Sequence, residues 1–165
     1  LASAAADRGM PLLLSSTQKV PDATVDAIKE LKPTKIYIAG GEKVIAPQVE
    51  EQLQQVCGLG AEGLARLAGS NRYETSVKIA QAFYPLTQEI FMAAGEDYIE
   101  PLAAGAWAST RNACLLLISP LGFTINGPTE NYLKQMPSST CVRVIGGKDN
   151  ISENTVTRIK NLLNL

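Results

Sequence analysis

The sequence repeats itself, and this constrains the fold more than any other feature of the chain. An alanine-rich segment followed by a leucine-rich run occurs at residues 1–15 and again at residues 102–118. A β-branched segment that ends in Gly-Gly occurs at residues 35–41 and returns at residues 141–147. Two copies of one unit should adopt similar folds, so each copy helps to interpret the other.

Each copy alternates short apolar strands with amphipathic helices. Residues 11–15 and 34–39 have the composition of buried strands, whereas residues 22–31 carry apolar side chains at helical spacing. Pro47 and Ser152 suit the start of a helix after each Gly-Gly. Strands that are apolar at nearly every position and separated by helices indicate a parallel sheet covered on both faces. The pattern predicts a Rossmann-like or flavodoxin-like α/β sandwich.

Both copies are incomplete in this register. A strand candidate at residues 63–68 and a helix containing Tyr73 lead into residues 90–94, which begin the second copy. We expect one repeat over residues 1–83, lacking its opening strand, and a second over residues 84–165, lacking its closing strand. No proline-rich, glycine/serine-rich or charged linker marks the boundary between them.

Composition excludes several classes of protein. Hydrophobic residues make up 45% of the chain and charged residues 19%, which is enough apolar material for a core and unlike a disordered chain. No apolar run approaches the roughly 20 residues of a membrane-spanning helix. The net charge of −1 gives no general attraction for nucleic acid or an anionic membrane. We expect neither a nucleic-acid partner nor membrane insertion.

The chain contains no histidine. This removes the commonest acid–base residue, the Ser-His and Cys-His nucleophile pairs, and most zinc sites. Cys57, Cys114 and Cys141 are too widely spaced for a disulfide scaffold or a Cys-x-x-Cys metal site. We expect Cys114 and Cys141 to be unreactive residues of buried strands. The sequence argues against an enzyme, and no cofactor or metal is expected.

Two glycine doublets follow predicted strands, at Gly40-Gly41 and Gly146-Gly147. In this position, backbone amides bind phosphate in nucleotide-binding folds. Both doublets lack the third glycine of a dinucleotide motif and the lysine of a Walker loop. We therefore favour tight turns, in which glycine supplies a positive φ.

An acidic cluster, Glu96, Asp97 and Glu100, follows the predicted strand at residues 90–94. Such a cluster resembles a divalent-metal site, but acidic residues also complement the dipole of a helix that starts here. We favour the helix-dipole interpretation because no second acidic motif follows a later strand. The leucine run at residues 11–15, like Tyr98, Trp107 and Tyr132, is most simply core packing.

Arg66 and Arg72 flank the segment Leu-Ala-Gly-Ser-Asn. Guanidinium groups suit carboxylates and phosphates. Arg72 stands at a predicted helix N-terminus, where the dipole is already positive, so its position indicates an anionic partner. Two interpretations stay open: an external anion, or an internal carboxylate such as Glu74 or Asp26.

Three features together resemble the cell wall binding repeat 2 family. They are the Arg-Leu-Ala-Gly-Ser-Asn-Arg-Tyr-Glu-Thr segment at residues 66–75, the Pro-Leu-Leu-Leu run, and the Ile-Tyr-Ile-Ala-Gly-Gly turn followed by Val-Ile. Their order also matches the family, and the resemblance covers nearly the whole chain as two incomplete tandem repeats. It implies a Rossmann-like or toprim-like three-layer α/β sandwich with a mainly parallel sheet, commonly in a pseudo-threefold (pseudo-trimeric) assembly with neighbouring repeats.

The resemblance implies anchoring rather than catalysis. Family members are repeats on secreted Gram-positive surface proteins, which they hold noncovalently on anionic cell wall polymers such as teichoic-acid-like polymers or polysaccharides. The family's Pro-Ile-Leu-Leu-type motif is linked to polymer binding and maps onto residues 11–14 and, less closely, 114–117. With the arginine segment, the predicted polymer-binding residues are Pro11, Leu12, Leu13, Leu14, Arg66, Arg72, Tyr73, Leu115, Leu116 and Leu117.

The chain departs from the family pattern at three places. Asn71 stands where aspartate is usual, Glu100-Pro101 replace the usual Asp-Ala, and Cys114 replaces the proline of the second motif. The expected function is a noncatalytic module that anchors a secreted bacterial protein to anionic polymers at the cell wall or cell surface. A small nucleotide- or metal-binding α/β enzyme domain and a purely structural assembly module stay open as alternatives.

Overall fold

Parallel strands alternate with helices along the chain in a computed structural model that describes residues 1–119 and 127–163. The helices and strands are, in order, α1 Ala2–Asp7, α2 Asp22–Leu31, β1 Ile36–Ala39, α3 Pro47–Cys57, β2 Leu64–Leu67, α4 Arg72–Phe83, β3 Glu89–Ala94, α5 Ile99–Ser109, β4 Cys114–Ile118, α6 Pro128–Leu133, β5 Cys141–Ile145 and α7 Glu153–Leu163. The predicted α/β class with parallel sheets is confirmed. Within the described ranges, no helix has both the length and the apolar character needed to span a bilayer.

Contacts divide the chain into two compact units. The larger unit consists of Leu1–Pro11 together with Gly69–Leu165, and the smaller unit of Leu12–Ala68. This division follows packing, whereas the repeat boundary between residues 83 and 84 follows sequence similarity. The two units do not correspond to the two repeats, and the division into repeats stays a prediction from the sequence.

The larger unit contains a three-stranded sheet in the order β4-β3-β5. Ile90 of β3 lies opposite Cys114 on one side and Val142 on the other. Every residue of β3 is buried, so both faces of the central strand are covered, as its continuous apolar sequence predicts. Helix α5 packs on β3 and β4, where Phe91 forms a core with Ala108 of α5.

The smaller unit contains the two-stranded sheet β1-β2, with Ile36 opposite Leu64. Helix α2 occupies the predicted residues and ends where Lys32 adopts a left-handed conformation (φ 47°) just before Pro33, which cannot continue a helix. Helix α3 starts with Pro47 in its first turn, as predicted. The core consists of buried side chains from both helices, β1 and the preceding loop: Val20, Ile28, Ile38, Val49 and Leu53.

The predicted strand at residues 11–15 is wrong. These residues adopt no strand conformation, and Leu12, Leu13 and Leu14 are exposed rather than core. The corresponding run in the second copy forms β4 because β3 lies beside it and completes its backbone hydrogen bonds. Among the described residues, the first run has no such neighbour strand, and apolar composition alone does not make a strand.

Candidate functional site

Arg72 and Tyr73 begin α4 and reach the carboxyl end of β3. The Arg72 Nη1 group donates a hydrogen bond of 2.6 Å to the carbonyl oxygen of Gly95. The Tyr73 hydroxyl donates one of 2.6 Å to Glu96 Oε1, and this bond, aided by burial, raises the pKa of the Tyr73 hydroxyl. Both side chains are thereby fixed at the edge where open parallel sheets usually bind ligands.

Leu117 lies at the same edge of the sheet as Arg72 and Tyr73. A Cβ atom placed on Gly95 would stand 2.7 Å from Tyr73 Cε1 and 3.3 Å from Leu117 Cβ, so the aromatic ring and the leucine both lie close to this glycine. The Leu117 amide also donates a 3.0 Å hydrogen bond to Ser76 Oγ of α4. Of the predicted site residues, the structure brings together Arg72, Tyr73 and Leu117.

The two preceding leucines belong to the core. Leu116 has no exposed surface, and Leu115 packs against the core cluster that contains Phe91 and Ala108. A polymer outside the folded unit cannot contact Leu116 without a change of structure. The assignment of Leu115 and Leu116 to polymer binding stays a prediction, while their observed contacts are those of packing residues.

Neither carboxylate considered as an internal partner is paired with Arg72, which forms no ion pair among residues 1–119 and 127–163. Glu74 is engaged elsewhere, because its Oε2 accepts the Ser70 amide at 2.9 Å. This hydrogen bond lowers the pKa of the Glu74 carboxyl. The exposed Arg72 guanidinium therefore has no carboxylate in ion-pair contact among the described residues.

The segment between the two arginines encodes the turn that starts α4. Asn71 is the N-cap, and its Oδ1 accepts the Glu74 amide at 2.9 Å. The Gly69 amide donates to Thr75 Oγ1 at 3.1 Å, which closes the turn from its other side. These contacts explain why the motif carries short polar side chains at fixed spacing, and they position Arg72.

Arg66 has a different environment, inside the smaller unit. Its Nε lies 2.6 Å from Glu50 Oε1 of α3, and its Nη1 donates to the Gly40 carbonyl oxygen at 2.7 Å. The side chain is only 16% exposed, and its Nη2 is buried without a partner among the described residues. Arg66 thus connects β2, α3 and the turn after β1, and a role in binding polymer stays a prediction.

Pro11, Leu12, Leu13 and Leu14 form an exposed run. Pro11 ends the first segment of the larger unit, and the three leucines begin the smaller one. Leu14 is 80% exposed, while its carbonyl oxygen accepts a 2.8 Å hydrogen bond from Thr24 Oγ1. The leucine side chains are accessible to a ligand, and their role in binding polymer stays a prediction.

The glycine doublets form tight turns, as predicted. Gly40 and Gly146 have φ values of +132° and +138°, which L-residues with a Cβ rarely adopt. Each follows the last residue of its strand and reverses the chain toward the next helix.

The three acidic residues after β3 each have a partner of their own. Glu96 accepts the Tyr73 hydroxyl, Asp97 accepts the Ile99 amide at 2.9 Å, and Glu100 accepts Asn150 Nδ2 at 2.5 Å. Asp97 thus accepts the first amide of α5 from the residue before the N-cap, in line with the favoured helix-start interpretation.

Sequence reasoning missed a charged cluster at the opposite, amino-terminal edge of the sheet. Glu89 is the first residue of β3, and its carboxylate accepts hydrogen bonds from Nε of Arg111, at 2.5 Å, and from Nε of Arg143. Burial alone raises the pKa of Glu89, but the two guanidinium groups outweigh it and lower the pKa. A glutamate that opens an otherwise apolar strand was the signal for this cluster.

Several further predictions concern cysteines and aromatic residues. Cys114 is buried as expected, and burial raises the pKa of its thiol to about 11. The prediction for Cys141 is wrong: it starts β5 at the sheet end and is exposed. Tyr132 is fully buried, whereas Tyr98 is 72% exposed and contributes little packing. Trp107 is half-exposed, with its ring edge against Phe91.

Residues 66–156, more than half of the chain, match the sequence profile of Cell wall binding domain 2 (CWB2). The chain belongs to the CWB2 family. The matched residues include the turn at residues 69–75 and all three strands of the larger unit's sheet. Arg72, Tyr73 and Leu117 thus lie inside the matched CWB2 region, and the chain is a cell wall binding module.

Two curated proteins of Bacillus subtilis (strain 168) resemble this CWB2 chain. N-acetylmuramoyl-L-alanine amidase LytC is 28% identical over 149 residues, which cover 90% of this chain and 28% of that protein. The protein named amidase enhancer is 26% identical over 118 residues, which cover 72% of this chain and 15% of that protein. This chain therefore spans less than a third of the length of either relative.

Two solved structures from Clostridium difficile share the fold. Cwp8 superposes with a TM-score of 0.81 at 24% identity, covering 99% of this chain and 27% of that chain. Cwp6 superposes with a TM-score of 0.83 at 20% identity, covering 98% of this chain and 25% of that chain. At these identities, the two structures show the fold alone, and they share it with nearly the whole chain.

Proposed function

We propose that this chain is a noncatalytic module that holds a larger, secreted protein on the cell wall of a Gram-positive bacterium by binding an anionic wall polymer. The polymer is a teichoic acid or a comparable charged polysaccharide. The observation that carries this proposal is the Arg72 guanidinium, which is exposed and fixed at the carboxyl edge of the sheet. It has no carboxylate partner among the described residues.

The geometry around Arg72 suits an oxyanion. One terminal nitrogen is held by the Gly95 carbonyl oxygen, which orients the planar group and leaves its other donors for a ligand. Charge-assisted hydrogen bonds from guanidinium to phosphate or carboxylate are roughly twice as strong as neutral ones. Tyr73 and Leu117 supply an aromatic and an apolar surface beside it, on which the carbon skeleton of a polymer unit rests.

Other parts of the chain are assigned to this function by proposal. The exposed leucines at residues 12–14, with Pro11, form a second contact region, and Arg66 holds the turn after β1 in position. Neighbouring repeats in a pseudo-trimeric arrangement would each contribute a few contacts to one polymer chain. Because linked weak contacts raise avidity, such an array binds tightly although each repeat carries little net charge.

The absence of catalysis belongs to the proposal as well. LytC is named for an amidase activity, but this chain corresponds to 28% of LytC. The 165 residues contain no histidine, so the usual general base and nucleophile activator is absent from them. We assign any enzymatic activity of a parent protein to segments other than this one.

Cosedimentation with Gram-positive sacculi tests the proposal. We expect the chain to sediment with intact sacculi, to lose binding when acid extraction removes the anionic polymers, and to bind less as salt is added. Arg72→Ala should weaken sedimentation, whereas Lys78→Ala, which removes another exposed cation of α4, should not. Equal binding to extracted sacculi, or equal effects of the two substitutions, would contradict an anionic-polymer site at Arg72.

A further inference from the structure

A cleft of about 720 Å³ opens at the amino-terminal edge of the larger unit's sheet, at the end opposite Arg72. Its lining includes Glu89 and Cys141, the first residues of β3 and β5, together with Arg111, which follows α5. The volume is in the range typical of ligand sites, about 300–1,000 Å³. Neither the predicted site nor the proposed wall-binding residues use this cleft.

The residues that line the cleft carry more positive than negative charge, unlike the chain as a whole. The charged side chains of the lining are three arginines, Arg8, Arg111 and Arg143, and one carboxylate, Glu89. Asp7, the neighbour of Arg8 in the chain, does not line the cleft and accepts a hydrogen bond from the Tyr84 hydroxyl. The cleft therefore carries an excess of positive charge, although the chain as a whole has a net charge of −1.

Glu89 cannot neutralise both of its arginines. Arg111 and Arg143 each use Nε to contact one oxygen of this single carboxylate. Their terminal Nη groups have no hydrogen-bond partner among the described residues, and the side chains are 45% and 36% exposed. Two planar guanidinium groups thus surround one anion and retain donors for a second.

Arg8 is held rigidly at the same cleft. Its Nη2 donates to the carbonyl oxygen of Phe83, and its Cζ lies 4.7 Å from the centroid of the Tyr84 ring. A cation fixed by stacking and by a backbone carbonyl loses little side-chain entropy when an anion binds. One arginine would suffice to pair with Glu89, so folding alone does not require the second one.

We propose that this cleft binds a phosphate group, the charged unit of a phosphodiester-linked polymer. The two terminal oxygens of a phosphodiester diverge from one phosphorus atom, so separate guanidinium groups can each contact one of them. The link to a wall polymer rests on the proposed function, whereas the phosphate site itself rests on the cleft. A polymer that reaches both ends of the sheet would contact this unit at two separate sites.

Trp107 provides a direct measurement, because it is the one tryptophan of the chain and its ring centroid lies 5.4 Å from Arg143 Cζ. Titration with sodium pyrophosphate at constant ionic strength should change Trp107 fluorescence and reach saturation. Arg111→Gln should weaken the affinity about tenfold, the loss expected for one hydrogen bond to a charged group. It leaves Glu89 paired with Arg143 and the reporter intact.

Two further variants sharpen the test. Lys148→Gln removes an exposed cation of the same unit that does not line the cleft, and should leave the affinity unchanged. Glu89→Gln removes the competing carboxylate, and should tighten pyrophosphate binding. If near-UV circular dichroism shows that Arg111→Gln or Glu89→Gln is unfolded, Arg8→Gln replaces it, since Arg8 does not pair with Glu89.

The outcomes separate this site from the wall-binding proposal. A fluorescence change that does not saturate, or an unchanged affinity in folded Arg111→Gln, overturns the cleft even when the chain still sediments with sacculi. Stronger binding of malonate than of pyrophosphate would indicate that the cleft prefers carboxylate to phosphate, and this too overturns the proposal. Saturable pyrophosphate binding without sedimentation supports the cleft and contradicts the wall function.

Discussion

Gly69 shows at the scale of one residue why the turn before α4 needs its particular sequence. A Cβ atom on Gly69 would stand 2.7 Å from the backbone carbon of Glu74 and 2.9 Å from the Thr75 nitrogen. Backbone atoms of a helix cannot move aside as a flexible side chain can. The glycine is therefore required by close packing of the turn against the first turn of α4, rather than by an unusual φ.

We expect Gly69→Ala to lower the free energy of unfolding by about 2 kcal/mol or more, in the range of overpacking substitutions. Gly147→Ala is the matched control, because a Cβ there meets no atom within 4 Å. Chemical denaturation of both variants checks the prediction. Equal stability of Gly69→Ala and Gly147→Ala would show that the turn at residues 69–75 has room for a Cβ atom at Gly69.

The cysteines should differ in reactivity. Burial raises the pKa of Cys114 to about 11, so at pH 8 roughly one thiol in a thousand is ionised, and the sulfur is inaccessible as well. Cys141 is exposed at the start of β5. A thiol reagent at pH 8 should modify Cys141 in the folded chain and Cys114 only after unfolding, as measured by mass spectrometry. Rapid modification of Cys114 before unfolding would contradict its burial.

Single residues also show the limit of sequence reasoning about the site. Arg66 and Arg72 have the same side chain and stand six residues apart in one motif, yet Arg66 is neutralised by Glu50 and Arg72 is not. The difference arises because Glu50 reaches Arg66 from α3, the helix that precedes β2, and this contact depends on how the helix packs on the strand. Sequence spacing gave no means to choose between an internal and an external partner.

At the scale of one element, the stability of helix α4 depends on its N-cap, Asn71. Asn71→Ala removes the acceptor for the Glu74 amide and should lower stability by about 1 kcal/mol. Asn71→Asp restores the residue expected from the family resemblance, keeps the acceptor, and places a negative charge at the helix N-terminus, so it should be at least as stable as the wild type at pH 7. Thermal denaturation measures both.

Ser70→Ala is the control for the cap, since the Ser70 hydroxyl interacts with Asn71 Nδ2 at 3.4 Å and with the Glu74 carboxylate, but does not accept the Glu74 amide. A loss for Ser70→Ala as large as that for Asn71→Ala would indicate a general sensitivity of the loop. A loss for Asn71→Ala alone would identify the capping oxygen as the stabilising group.

Elements with local signals were predictable, and those that depend on a partner were not. Helix α2 occupies residues 22–31 as predicted, because its apolar spacing and Pro33 lie within the segment itself. Ser152 caps α7 through the Thr155 amide, again a local contact. Residues 11–15 and β4 have similar leucine runs, but in the described part of the chain only β4 has a strand beside it. Strand pairing depends on the neighbouring strands of the sheet, and the spacing of apolar residues within one segment does not predict it.

At the scale of the whole molecule, the repeat predicted the class of fold but not the arrangement of charge. Two copies of a strand–helix pattern are enough to infer parallel sheets. The cluster of Glu89 with Arg111 and Arg143 draws residues from β3, β5 and the loop after α5. Such a cluster forms only when the strand order β4-β3-β5 is established, so a linear motif could not reveal it.

The two units should differ in local stability. Strand β3 is buried throughout and is paired on both sides, whereas β1 is partly buried and β1-β2 is a two-stranded sheet, which is marginally stable on its own. We expect amide hydrogens of β1 and β2 to exchange at least about tenfold faster than those of β3. Hydrogen exchange with mass spectrometry measures both sheets in one experiment.

Strand β4 distinguishes the cause of that difference, because among residues 1–119 and 127–163 it also pairs with one strand but belongs to the larger unit. If the stability of each unit governs exchange, β4 should be protected nearly as well as β3, since α4 and α5 pack on it. If edge position governs exchange, β4 should exchange like β1. Equal protection of all five strands would contradict the expected difference and would show that the smaller unit is as stable as the larger one.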